Sequence, residues 1–66
     1  MIDFTKEELE KALPPITSLI SKCEKVLPKL REGTSQYSLT RNRINALKVA
    51  EKLMLDALNE IKINND

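Results

Sequence analysis

The stretch GTSQYSLTRNRINALKVAEKLMLDALNEIKI, residues 33–63, decides the fold. From Ser35 onward it has the spacing of one long helix, and its only glycine, Gly33, marks the break before it. Thr34 or Ser35 is placed to cap this helix, which is expected to continue to about Lys62, ahead of the polar tail Asn64-Asn65-Asp66. Most of its apolar residues fall in two adjacent rows, with Val49 and Leu55 beyond either edge. Ile44, Leu47, Met54, Leu58 and Ile61 make one, and Leu39, Ala46, Ala50, Leu53 and Ala57 make the other. A helix with a single neighbour needs one stripe, so the second row predicts a partner.

Working outward toward the N-terminus, Thr5 and Glu8 have the S/T-x-x-E spacing of a capping box. Phe4 and Leu9 occupy the flanking positions of a hydrophobic staple. These four residues predict a helix start at Lys6. Pro14-Pro15 predicts its end, because each proline lacks an N–H and disfavours helical geometry in the residue before it. Helical spacing resumes in Ile16, Leu19, Ile20, Cys23, Val26, Leu27 and Leu30, with Pro28 outside the apolar arc and able to bend the helix or begin a new last turn.

The expected architecture is therefore all-α, with three helices at about 6–13, 15–32 and 35–62 in a single small domain spanning 1–66. Helices of about 8 and 17 residues end to end reach about 38 Å, close to the roughly 42 Å of a 28-residue helix. The first two would then lie against the third as one broken arm. The result is an antiparallel helical hairpin with a short N-terminal helix, doubled into a helical-bundle homodimer.

Doubling also answers a stability problem. A chain of 66 residues lies where burial barely exceeds the entropy of ordering, and small domains of this size often need a staple. One cysteine cannot form an intramolecular disulfide, and one thiol without histidine makes a poor zinc site. Self-association remains. No apolar run approaches the roughly 20 residues of a membrane span, and Met1-Ile2-Asp3-Phe4 lacks the pattern of a signal peptide, so a cytoplasmic location is expected.

Nothing in the chain has the pattern of a catalytic site. Cys23 has neither histidine nor acid beside it on its helix and reads as a core thiol. Glu7, Glu8 and Glu10 form an acidic first turn favoured by the helix dipole, with Glu7 and Lys11 at ion-pair spacing. No enzymatic activity, cofactor, metal or small-molecule substrate is expected.

Charge is nearly balanced at +1 but unevenly placed: residues 22–48 hold seven Lys and Arg against two Glu, while both ends are acidic. A hairpin gathers Lys25, Lys29, Arg31, Arg41, Arg43 and Lys48 into a basic pole. On the helical wheel Arg41, Asn45, Lys48 and Lys52 share a face opposite the core, which suggests an alternative role in DNA binding or transcription modulation. Against that stand the near-zero net charge and a third helix too long for a typical recognition helix. Arg43 falls within the wide apolar face, where it is expected to be either exposed at the hairpin end or paired, with Glu32 or a carboxylate of another subunit. Tyr37 is expected to pack at the hairpin turn.

The run Gly33-Thr34-Ser35-Gln36, followed by Arg41-Asn42-Arg43-Ile44-Asn45-Ala46-Leu47, resembles a pattern in small uncharacterised helical proteins of low-GC Gram-positive bacteria and their mobile elements. The resemblance spans roughly the central half of the chain, brings no known activity and implies no site residue. The reading it accompanies is a non-enzymatic protein acting through protein–protein interaction, either self-association or docking of a partner helix.

Overall fold

The computed structural model describes residues 4–64, with side-chain surroundings described for 4–61. The Met1-Ile2-Asp3 segment and the Asn65-Asp66 end of the expected polar tail lie outside the described residues. Two α-helices pack antiparallel: α1 (Lys6–Val26), then a single 3-10 turn (Leu27–Lys29), then α2 (Ser35–Asn64).

The start of α1 follows the chemistry of its capping box. Thr5 Oγ1 accepts from the Glu8 backbone N–H at 3.1 Å, and Glu8 Oε1 accepts from the Thr5 N–H at 2.9 Å. Two amides that a helix start leaves unpaired are thereby satisfied. Leu9 is buried behind them while Phe4 stays largely exposed.

The expected three-helix division is wrong at Pro14-Pro15. α1 runs unbroken through both prolines, so helices at about 6–13 and 15–32 are replaced by Lys6–Val26 plus the 3-10 turn. Packing explains why. Along α1 the covered residues are Leu9, Leu13, Ile16, Ile20 and Cys23, spaced alternately four and three apart, and this phase passes through the prolines without a slip. Two such residues precede the pair and two follow within one turn and a half. Leu9 and Ile20 are buried and contribute roughly 1.5–3 kcal/mol each, and the half-buried Leu13 and Ile16 contribute less. An interior proline costs about 3 kcal/mol, in part by removing a backbone hydrogen bond. Pro14 and Pro15 are exposed, as are Glu10 and Lys11, whose carbonyls they leave without a helical donor; those carbonyls are in reach of water.

Pro28 does end the α-helix, converting the last turn to 3-10 geometry, so the segment stops short of the expected residue 32. Leu30 is then extended and Gly33 takes φ +88°, a left-handed value that favours glycine. Thr34 caps α2: its Oγ1 accepts from the Tyr37 N–H at 3.2 Å and donates to the Arg31 carbonyl at 2.7 Å.

The covered side of α2 follows the same period: Tyr37, Thr40, Ile44, Leu47, Glu51, Met54, Leu58 and Ile61. Both helices thus pack as an antiparallel coiled-coil pair with a repeat of seven. Two cross-links on one flank fix the register. Thr17 Oγ1 donates to Glu51 Oε2 at 2.9 Å, and Lys48 Nζ lies 3.0 Å from Glu24 Oε2.

The molecule is a rod of 49 × 21 × 16 Å with a radius of gyration of 14.9 Å, against about 10.8 Å for a compact chain of this length. Its core is thin. The buried apolar residues are Leu9, Ile20, Cys23, Ile44 and Leu58, and even these keep 6–9% exposure. No helix among the described residues is long and apolar enough to cross a membrane.

Candidate interaction surface

α1 and the 3-10 turn cover one row of α2 and leave the other open. Of the residues singled out by the second row, Leu39 (57%) and Leu53 (63%) are strongly exposed, Ala46 is exposed, and Ala50 and Ala57 are half-buried at the row's inner edge. Leu53 and Ala57 form one wall of an apolar groove of about 750 Å³; Ala12 and Ile16 of α1, with Phe4 just ahead of that helix, form the facing wall. The open face therefore belongs to both helices.

The α1 wall is the part that helical-wheel reasoning on α2 missed. Leu19 and Val26 remain 44% and 46% exposed, and they follow Ala12 at intervals of seven residues. That interval is the signal that was available. It places Ala12, Leu19 and Val26 on one flank of the seam with α2, while Glu24 and Thr17 occupy the other.

The open row of α2 is itself periodic. Leu39, Arg43, Ala46, Ala50, Leu53, Ala57 and Glu60 alternate four and three apart, which gives α2 two parallel seams, one occupied by α1 and one unoccupied. Arg43 lies in the open row, exposed, and among the described residues it forms no ion pair; the suggested Glu32 pairing is not formed. Glu51, at the boundary, accepts a hydrogen bond from Thr17.

The basic pole gathers at the turn end of the rod. Lys25 closes α1, Lys29 and Arg31 lie in the connection, and Arg41 and Arg43 begin α2, all exposed. Lys48 lies further along and is held by Glu24. Of the four residues proposed to contact DNA, Lys48 is thus paired with Glu24 and Lys52 with Asp56 at 3.1 Å, leaving Arg41 and Asn45. Cys23 is buried in the seam, and the Glu7–Lys11 pair forms at 3.0 Å with both side chains exposed.

These features define a class of object: an elongated antiparallel helical hairpin with one packed seam and one vacant apolar seam. No protein-family model, curated protein or solved structure matches the chain.

Proposed function

We propose that this protein is a non-enzymatic interaction module of the cytoplasm that works by docking its open apolar seam, as a homodimer or on an amphipathic helix of another protein. The observation that carries the reading is an excess of surface. The chain exposes 5401 Å², whereas a compact monomer of its 7.5 kDa exposes about 4250 Å². The excess is on the order of 1,000 Å², comparable with the roughly 800 Å² that each partner buries in a standard interface. Phe4 and Leu53 line the groove and Leu19, Val26 and Leu39 are exposed along the same flank, whereas Val49 and Leu55 are exposed elsewhere on α2; a contiguous apolar patch of this kind marks interaction sites rather than ordinary surface.

Sedimentation equilibrium over a concentration series, with a Leu53→Glu variant alongside, tests this. Leu53 is exposed, so the variant keeps its helicity by circular dichroism while a charge in the seam weakens association. Association that Leu53→Glu abolishes supports the reading. A monomer that shows no helix-docking activity on amphipathic peptides, with Leu53→Glu unchanged, overturns it.

A DNA-binding role for the Arg41 to Lys52 face is the weaker alternative, because two of its four side chains are already engaged with carboxylates. Phosphate neutralisation would make such binding fall steeply with salt.

A further inference from the structure

We infer that the occupant of the open seam is a second copy of the same chain, with the two α2 helices antiparallel and Arg43 of each set against Glu60 of the other. This rests on the docking reading above and specifies its partner and register.

The charge pattern carries the argument. Within the open row of α2 an apolar stretch from Ala46 to Ala57 is flanked by one cation, Arg43, with Leu39 beyond it, and by one anion, Glu60; both charges are exposed and, among the described residues, without an ion pair. The segment from Arg43 to Glu60 is self-complementary about its midpoint between Ala50 and Leu53, and Leu39 lies outside it. Turning a second α2 through 180° about that point sets Ala50 against the partner's Leu53, Ala46 against the partner's Ala57, and Arg43 against the partner's Glu60. A small residue meets a large one at the centre, and small residues meet on either side, so the backbones approach closely. The seam from Arg43 to Glu60 is about 26 Å long at 1.5 Å per residue. A two-fold axis makes every contact twice, giving two Arg–Glu pairs per dimer.

The rest of the molecule agrees. The hairpin turn is net basic, with Lys25, Lys29, Arg31 and Arg41 against Glu32, and the first turns of α1 at the open end are net acidic, with Glu7, Glu8 and Glu10 against Lys6 and Lys11. An antiparallel pair lays each basic turn beside the partner's acidic open end. A parallel pair brings both turns together and sets Arg43 against Arg43 and Glu60 against Glu60. Opposed like charges across an interface are what discriminate one pairing from another.

The test is a charge-exchange set measured by sedimentation equilibrium at low ionic strength: wild type, Arg43→Glu, Glu60→Arg and the double variant, with Leu53→Glu as reference. Each substitution is at an exposed position, and circular dichroism checks that helicity is retained. In the antiparallel register each single reversal replaces two attractions with two repulsions and weakens the dimer by roughly tenfold. The double variant recreates both pairs with signs exchanged and returns the dissociation constant to within about threefold of wild type. Raising the salt shrinks the differences. If wild type dimerises and Leu53→Glu dissociates it, yet the single reversals change nothing or the double variant fails to recover, the antiparallel register is overturned and the docking reading stands. If wild type is monomeric at all concentrations, self-pairing is overturned; amphipathic peptide binding then decides the docking reading separately.

Discussion

Thr17 Oγ1 donates a hydrogen bond to Glu51 Oε2 at 2.9 Å, tying the middle of α1 to a carboxylate that occupies a position of the packed seam on α2. A charged residue in an otherwise apolar and hydroxyl-bearing row is tolerated here because the bond draws its head group to the flank, beside the Glu24–Lys48 pair. Removing the donor leaves that half-buried carboxylate without its protein partner. Thr17→Val, which keeps the shape, lowers stability by about 1 kcal/mol. Chemical denaturation at fixed protein concentration measures it, and an unchanged midpoint would show that water replaces the hydroxyl without cost.

Pro14 and Pro15 are the costliest residues in α1, since the helix continues through them without their backbone donors. Pro14→Ala restores a donor for the Glu10 carbonyl, and Pro15→Ala one for the Lys11 carbonyl. Part of the gain is offset by a looser unfolded chain. Each substitution raises stability by about 1–2 kcal/mol. Thermal unfolding followed by circular dichroism tests this; a fall in the midpoint would mean that the prolines shape a break rather than interrupt a helix.

Glu8 gives the capping box a pH dependence of defined sign. Accepting the Thr5 backbone N–H, then the bond with the Thr5 side chain, holds its carboxyl below the ordinary value of 4.5. A depressed folded value means that the contribution is fully present above 4.5 and is lost as pH falls through the lower folded value. Unfolding curves of wild type therefore lose more stability on acidification than those of Glu8→Ala, and parallel losses would sink the assignment. Thr5→Ala, which removes the reciprocal partner, costs about 1 kcal/mol near neutral pH.

Gly33 has φ +88°, and a Cβ built there meets nothing within 4 Å. The obstacle to substitution is thus the backbone conformation alone. Gly33→Ala destabilises the hairpin by about 1 kcal/mol, whereas D-alanine, whose preferred φ is positive, is neutral or stabilising. Chemical synthesis is practical at 66 residues, and equal effects from both enantiomers would contradict the conformational origin.

Local chemistry was legible in the residues themselves. The Thr5–Glu8 box, the Glu7–Lys11 pair and the cap, at Thr34 rather than Ser35, depend on neighbours within four positions and formed as their spacing implies, whereas Gly33, placed by its spacing directly after the second helix, lies four residues beyond the 3-10 turn with φ +88°. Pro14-Pro15 misled because the proline rule is local while the deciding energy is not. Leu13 and Ile16 stay in phase on either side and both pack toward α2, which is a property of the pair of helices. The same limitation hid half of the groove. Ala12, Leu19 and Val26 look like part of one arc on an isolated wheel, and only the position of α2 separates what is covered from what stays open.

The two rows of α2 share no residue, and this gives the helix a division of labour at the level of single codons. Substitutions in the row from Tyr37 to Ile61 bear on whether the hairpin forms, those at the exposed Leu39, Arg43, Ala46, Leu53 and Glu60 bear on the surface the formed hairpin presents, and the half-buried Ala50 and Ala57 bear on both. The second set can drift, reverse its terminal charges or acquire bulk while the first stays fixed. A lineage carrying such a helix is therefore free to change its exposed row by point mutation without first surviving a loss of fold.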